Sequence, residues 1–404
     1  MRTPRQVRRG AVYFITYAVI CHLCFVFGNA PAFLPHVFVR RQEMDYLTAE
    51  DLYYFALFFF NIRIKIVSAY WQVLSCLLRD PVLRVGPCAA AGRFFMKYLI
   101  IGAGGTGGVL GYNMSRAGLD VALLARGPHL RAMWGQGLIL EKMWKGSCGN
   151  VPVRAYDEEH YYEDPDVIFV CVKSYSLKEV IPFIRRIAKP ETVVIPLCNV
   201  FGTGGMLQTK LPKLAVMDGC IYVSANIKSP GWILQHSEIL RVYFGPRKGE
   251  REPELRQIAD DLNYAGIETH LSENIERDCL EKFSYVSPIG AAGIYYDVSA
   301  YAFQRPGEPR TMFKTMIREI MALSYEMGFP FEKDYVEVNL YILKNQPGDA
   351  TTSMQRDIKA GGPSEIDGLV YDVVKMARKF HVYMPAYEMV ADGLRKRGLG
   401  EKQI

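Results

Sequence analysis

The chain has 404 residues, half of them apolar and 22% charged, a composition that suits a globular protein with room for more than one buried core. Its formal charge of +6 hints at nucleic acid, yet residues 1–95 hold all of it, with 11 Lys/Arg against 5 Asp/Glu. The remainder is neutral, which excludes a basic nucleic-acid footprint there, and nine cysteines at irregular spacing exclude a disulfide framework.

At the N-terminus, Arg2, Arg5, Arg8 and Arg9 precede an apolar run from Ala11 to Gly28. That is the pattern of a signal peptide or a single membrane anchor. A second, aromatic-rich run covers Leu52 to Phe60, and Pro81 to Gly92 reads as a linker. Cys21 and Cys24 have C-x-x-C spacing but no second ligand pair, so no metal or redox role is assigned to them.

From Met96 the pattern becomes regular. A short apolar strand, Tyr98 to Ile101, leads into Gly102-Ala103-Gly104-Gly105-Thr106-Gly107 and then a helix-like segment. This is the phosphate-cradling turn of a dinucleotide-binding βαβ unit. Gly102 allows the tight turn, Gly104 lets the backbone approach a pyrophosphate, and Gly107 lets helix and strand pack closely. The anion would rest on free N–H groups at the helix N-terminus. The helix face Val109, Leu110, Met114 ends at Gly118, a plausible C′ residue.

Apolar strand-like runs follow at Val121–Ala125, Val167–Val172, Val193–Leu197 and Ala215–Val223, with helix-like segments between several of them, notably Ser176–Ile187. The alternation predicts a mostly parallel sheet covered on both faces over residues 96–271, an α/β Rossmann-type domain. Cys171, Cys198 and Cys220 lie in these runs, where reduced core thiols are expected. No acidic residue occurs between Asp120 and Glu141, where an NAD enzyme would bond its ribose. Arg126 stands there instead, suited to a 2′-phosphate, so NADPH is the expected cofactor; the alternative is a solvated loop arginine. Lys173 and Asn199 each follow an apolar strand, at the end where open α/β sheets bind ligands. Either would also suit a strand end in water.

With this motif so close to Met96, translation starting there would make residues 1–95 an extension outside the enzyme, and export would part the enzyme from its cytoplasmic cofactor pool. A cytoplasmic enzyme, with no membrane partner unless residues 1–95 are an anchor, is the expectation.

Over residues 272–404 the periodicity becomes helical. Residues 275, 279, 283, 286 and 290 form one stripe, and Lys282 falls inside it, about 20–40° from Ile275 and Val286 on the helical wheel. A desolvated ammonium there would have a lowered pKa, suiting it to give up a proton; the alternative is a lysine snorkelling past the helix edge. Further on, a Gly-Gly-Pro break precedes a helix with the apolar face Ile366, Leu369, Val370, Val373 and Ala377. Ser364 is the expected N-cap, with Glu365 in the first turn, where a carboxylate is favourable even without function.

These residues resemble the ketopantoate reductases (2-dehydropantoate 2-reductases) over nearly all of 96–400. The likeness rests on GAGGTGG, the lysine in VCVKS, Asn199 in an N-x-x-G-like turn and Ala225 before Ser229-Pro230-Gly231. It continues through Glu281-Lys282-Phe283 and the SMQRDIKAG–PSEID segment. The resemblance implies a Rossmann domain, an all-helical C-terminal domain, and a site between them. It implies NADPH contacts from Gly102 to Gly107, Lys173, Asn199 and Ala225. Lys282 would be the proton donor, Asn199, Ser353 and Glu365 would hold substrate and order the site, and ketopantoate would be reduced at its C2 ketone. The family's asparagines one and two turns after the lysine are here Val286 and Gly290, with Ser284 or Ser287 as partial substitutes. A glycine after the strand-end asparagine is here Val200. The substrate is thus ketopantoate or another branched 2-oxo acid; a non-catalytic NADP-binding or membrane-tethered redox sensor is the reading from a different class. The protein would be a monomer or homodimer.

Overall fold

The computed structural model describes residues 96–247 and 252–400. The expectations for residues 1–95 lie outside the described residues. Within them, no helix is long and apolar enough to cross a membrane.

The first half follows the β–α alternation. Strand β1 (Tyr98–Ile101) leads to α1 (Gly105–Arg116), then β2 (Val121–Leu124), α2 (Gly127–Gln136), β3 (Leu138–Lys142), β4 (Ser147–Val151), β5 (Arg154–Tyr156) and β6 (Val167–Val170). Next come α3 (Leu177–Ile187), β7 (Val193–Pro196), α4 (Thr203–Lys210), β8 (Ala215–Val216), β9 (Asp218–Ser229), β10 (Trp232–Gly245), α5 (Glu252–Tyr264) and β11 (Glu268–Leu271). Six strands form a parallel sheet in the order β5-β2-β1-β6-β7-β8, with Tyr98 opposite Val121 on one side and Val167 on the other. Strand order reverses between β1 and β6, and such a switch point leaves a crevice at the carboxyl ends of the strands. All four residues of β1, β2, β6 and β7 are buried, as helices on both faces require. Helix α3 shows why: Leu177, Val180, Ile181, Ile184 and Ile187 recur at helical spacing and are buried, while Arg185 and Arg186 stay on the outer face.

A second sheet, which the sequence pattern did not predict, flanks the first. Strand β10 pairs in parallel with β3 through its first residues and with β11 through its last, while β9 runs antiparallel along it. Pro230-Gly231 forms the two-residue turn between β9 and β10, with Gly231 at φ +73°, a conformation glycine adopts freely. Helix α1 lies between the two sheets. A Cβ at Gly111 would come within 2.6 Å of the Leu123 side chain, and one at Gly108 within 2.7 Å of Ile233. The helix ends as expected, with Gly118 at φ +81° past its last turn.

From Ile275 the chain is helical: α6 (Ile275–Tyr296), α7 (Ala300–Gln304), α8 (Glu308–Glu326), α9 (Tyr335–Lys344), α10 (Ser353–Lys359), a π-helical stretch (Asp367–Tyr371), α11 (Asp372–Lys379) and α12 (Pro385–Lys396). Asn274 caps α6, its side chain accepting the Arg277 N–H at 3.1 Å. These helices share a core of their own, including Phe283, Phe313, Tyr371 and Tyr387. The face Ile366, Leu369, Val370, Val373 and Ala377 is buried in it as expected. The N-cap expectation is corrected: no side chain caps the π-helical stretch. Glu365 precedes the helix rather than sitting in its first turn, and its carbonyl accepts the Leu369 N–H at 2.9 Å.

Candidate active site

The glycine turn lies at the end of β1. Gly102 has φ +97°, and a Cβ on Gly107 would fall 2.0 Å from the Gly102 carbonyl oxygen, so the turn and the helix start fit only with hydrogen at both positions. Gly105 abuts β9, where an added Cβ would lie 2.5 Å from the Ala225 carbonyl oxygen. Gly104 differs from these neighbours. A Cβ there would meet no protein atom within 4 Å, and no side chain caps the helix N-terminus behind it. Open space facing uncapped N–H groups is what a pyrophosphate requires, so these residues fit a dinucleotide.

His129, not singled out by the sequence pattern, braces this turn. Its Nδ1 accepts the Gly231 N–H at 2.9 Å, so its proton resides on Nε2, which donates to the Ala103 carbonyl at 2.8 Å. The ring thereby links the glycine turn to the β9–β10 hairpin. Arg126 lies exposed at the start of α2, just beyond β2, and its charge acts on Tyr175, the residue two after Lys173.

Lys173 and Asn199, at the ends of β6 and β7, both reach toward the helical half. The Lys173 Nζ donates to Asp357 Oδ2 at 3.0 Å and to Glu365 Oε2 at 3.4 Å, and Glu365 Oε1 accepts the Ser174 N–H at 3.1 Å. Burial pulls the Lys173 ammonium toward a lower pKa, but the two carboxylates outweigh it and the net shift is upward. Glu365 is only 2% exposed, so its partners replace the water it has lost. Asp357 lies in the SMQRDIKAG segment, and only the fold brings it to Lys173.

Lys282 is 8% exposed, buried as its place in the helical stripe predicted. Its Nζ donates to Asn199 Oδ1 at 2.9 Å and stands 6.0 Å from the centre of the Tyr222 ring. Asn199, Val200, Phe201, Asp218, Cys279 and Lys282 line one pocket. Cys198 directly precedes Asn199. Burial, reinforced by the Glu365 carboxylate, pushes its thiol well up, and the Lys282 ammonium opposes them. Burial raises Cys171 to about 12, and a hydrogen bond with Cys220 together with burial raises Cys279. These thiols stay protonated and are poor nucleophiles, which leaves the ammonium, the amide and the carboxylates to do the chemistry. Asp218 is buried against Arg247, 3.2 Å away, and burial raises its carboxyl to about 6 despite that partner.

Two departures from the family pattern acquire a structural reading. A Cβ at Gly368, in the π-helical stretch, would come within 2.6 Å of Val200 Cγ2, so the extra side chain at 200 is received where 368 has none. A Cβ at Gly290 would come within 2.8 Å of the Met354 methyl. Ser353, next to that methionine, opens α10 half-buried. Ser287, expected to bind substrate, is fully buried, donating to the Leu369 carbonyl at 2.6 Å and lying 2.6 Å from the Tyr387 hydroxyl, where it holds the π-helical stretch.

A parallel sheet with a glycine turn at its switch point, joined to a helical half that carries a buried lysine, defines the class of two-domain dinucleotide-binding oxidoreductases. Within that class the chain belongs to the ketopantoate reductase PanE/ApbA family: residues 98–249 match its model and residues 274–398 match the model of its C-terminal part. The chain is 27% identical over 309 residues to the uncharacterized oxidoreductase YkpB of Bacillus subtilis, covering 74% of this chain and 98% of that protein. It is 24% identical over 323 residues to 2-dehydropantoate 2-reductase of Mesorhizobium japonicum, covering 74% and 97%. A ternary structure of D-mandelate dehydrogenase with NADH and anilino(oxo)acetate superposes with a TM-score of 0.68 at 20% identity, covering 75% of this chain and 98% of that one. That last likeness is one of fold.

Proposed function

We propose that the protein is an NADPH-dependent reductase of a branched 2-oxo acid, with residues 96–271 holding the cofactor and residues 272–404 completing the substrate site. The observation that carries this reading is the buried Lys282 ammonium bonded to Asn199 at the carboxyl end of β7, on the same edge of the sheet as the glycine turn. A redox sensor has no use for such a group.

Gly102, Ala103, Gly104, Gly105, Thr106 and Gly107 would hold the pyrophosphate, Ala225 would border it, and Arg126 would meet the 2′-phosphate. Bound nicotinamide would supply a hydride to the C2 ketone. Lys282 would donate a hydrogen bond to the ketone oxygen and then its proton as negative charge develops there. Asn199 would orient the ammonium and touch substrate. Glu365 would hold Lys173 and the Ser174 backbone, fixing the Rossmann edge against the helical half, and Ser353 would contact the substrate's polar groups.

The family's named reaction would make the product pantoate, for pantothenate and coenzyme A synthesis, in the cytoplasm. The apolar helix face beyond Lys282 favours a second substrate reading, a different branched 2-oxo acid. The test is NADPH oxidation by the full-length protein with ketopantoate and a panel of other 2-oxo acids. Oxidation dependent on an oxo acid supports the assignment, and none with any of them removes it.

A further inference from the structure

The two lysines of the site are held by different means. Lys173 has two carboxylates, whereas among the described residues none lies within 4 Å of the Lys282 Nζ, although Lys282 is only 8% exposed. The titratable groups around it supply no counter-charge. Cys198 and Cys279 keep their protons, Cys220 is bonded to Cys279, Glu281 accepts from the Tyr335 hydroxyl, and Asp218 is paired with Arg247. A buried ammonium so placed stays charged only where oriented dipoles replace its water. The structure supplies two. The Asn199 Oδ1 accepts from Nζ at 2.9 Å, and Nζ lies over the Tyr222 ring, 6.0 Å from its centre, where the π-system is negative.

Tyr222 is itself fixed. It stands on β9 opposite Arg241, its ring meets Tyr243 edge-on at 5.8 Å, and Tyr243 stacks on His270 at 4.6 Å. Three residues further along the same strand, the Ala225 backbone abuts Gly105 of the glycine turn. One strand thus touches both the ammonium and the turn.

We infer that Tyr222 is a positioning residue of the reaction, its ring face holding the Lys282 ammonium charged and aimed together with Asn199. The inference rests on the reductase reading and adds to it a residue from the Rossmann side. An ammonium has three N–H groups. With one on the amide and one over the ring, the third is left for the ketone oxygen. A carboxylate in the ring's place would neutralise the charge that has to meet the developing alkoxide, and the ring does not.

The test replaces Tyr222 in the full-length protein by phenylalanine (Tyr222→Phe), 3,5-difluorophenylalanine and 3,4,5-trifluorophenylalanine, which keep the ring's shape while withdrawing electrons from its face. The lysine 15N signal that Lys282→Arg removes identifies Nζ. Its titration is followed beside the pH profile of kcat/KM with NADPH and the oxo acid that the protein reduces. The expected midpoint falls stepwise along the series, by about 0.5–1 pH unit at the trifluoro ring, and the alkaline limb of kcat/KM falls with it. The Kd for NADPH and the Tm should stay at the values of Tyr222→Phe. A midpoint that does not move, or that moves only as Tm drops, would overturn the inference and leave the reductase reading intact. A parent protein that reduces no 2-oxo acid would overturn that reading and the part of Tyr222 in the reaction, even with a midpoint that moves.

Discussion

Lys282 and Asn199 are joined by one hydrogen bond, Nζ to Oδ1 at 2.9 Å, which runs from the first long helix of the C-terminal half to the end of a Rossmann strand. In the proposed role of proton donor, an ammonium held in this way would be aimed before substrate arrives. Lys282→Ala is expected to lower kcat by at least about a hundredfold, with the Kd for NADPH, read by fluorescence titration, changing little. Full turnover in that variant would remove the catalytic assignment. Asn199→Ala should give a smaller loss, since the ammonium stays but its direction is no longer fixed.

The neighbouring glycines 104 and 105 differ in what surrounds them, open space at the first and the Ala225 backbone at the second. Gly104→Ala adds a methyl to open space at an ordinary φ of −69°. Stability should stay within about 0.5 kcal/mol while NADPH affinity falls about tenfold or more. Gly105→Ala drives its methyl into the Ala225 backbone and should cost about 1–3 kcal/mol in urea denaturation. Equal affinity for NADPH in parent and Gly104→Ala would mean that the pyrophosphate lies elsewhere.

Arg126 is the test of cofactor choice. Its replacement by alanine should raise the KM for NADPH about tenfold and leave the KM for NADH unchanged. Parallel changes in both would show that the guanidinium does not read the 2′-phosphate.

Ser287→Ala leaves the buried Leu369 carbonyl and Tyr387 hydroxyl without their common partner. The expected cost is about 1–3 kcal/mol of stability, with the KM for the oxo acid unaltered. A raised KM at unchanged stability would return this serine to the substrate site.

Asp218 predicts a pH dependence whose sign is definite. Burial raises its folded-state carboxyl from 3.8 to about 6. Protons therefore bind the folded state more tightly, and the stability this gives is present below the unfolded value and lost as pH climbs to about 6. Asp218→Asn should gain on the parent by about 2 kcal/mol in unfolding free energy between about pH 4.5 and about pH 7.5. A difference that stays flat over that range would contradict the raised value.

The central strands of the parallel sheet were legible as continuous apolar runs, whereas the edge strand β5, Arg154-Ala155-Tyr156, carries no such run and was not read; the glycine turn was legible because phosphate binding dictates its spacing. Lys282 stood out as a charge inside an apolar stripe. The run Ala215–Val223, read as one strand of the parallel sheet, divides between β8 and the start of the antiparallel β9. The rest of the β9–β10 hairpin escaped because its outer half is little buried and its pairing shifts register between Gln235 and Leu240, although Pro230-Gly231 marks its turn. His129 and Asp357 carried no local signal, since each acts through partners distant in the chain. Ser287 was read as a partial substitute for the missing asparagines, and its buried bonds to Leu369 and Tyr387 lay beyond the local sequence.

The contact between Val200 and Gly368 ties two distant positions into a single unit of inheritance. A side chain at 368 requires the one at 200 to shrink or shift, and cutting 200 back to glycine leaves empty the room its isopropyl group now fills. Each residue is thus a condition on the other.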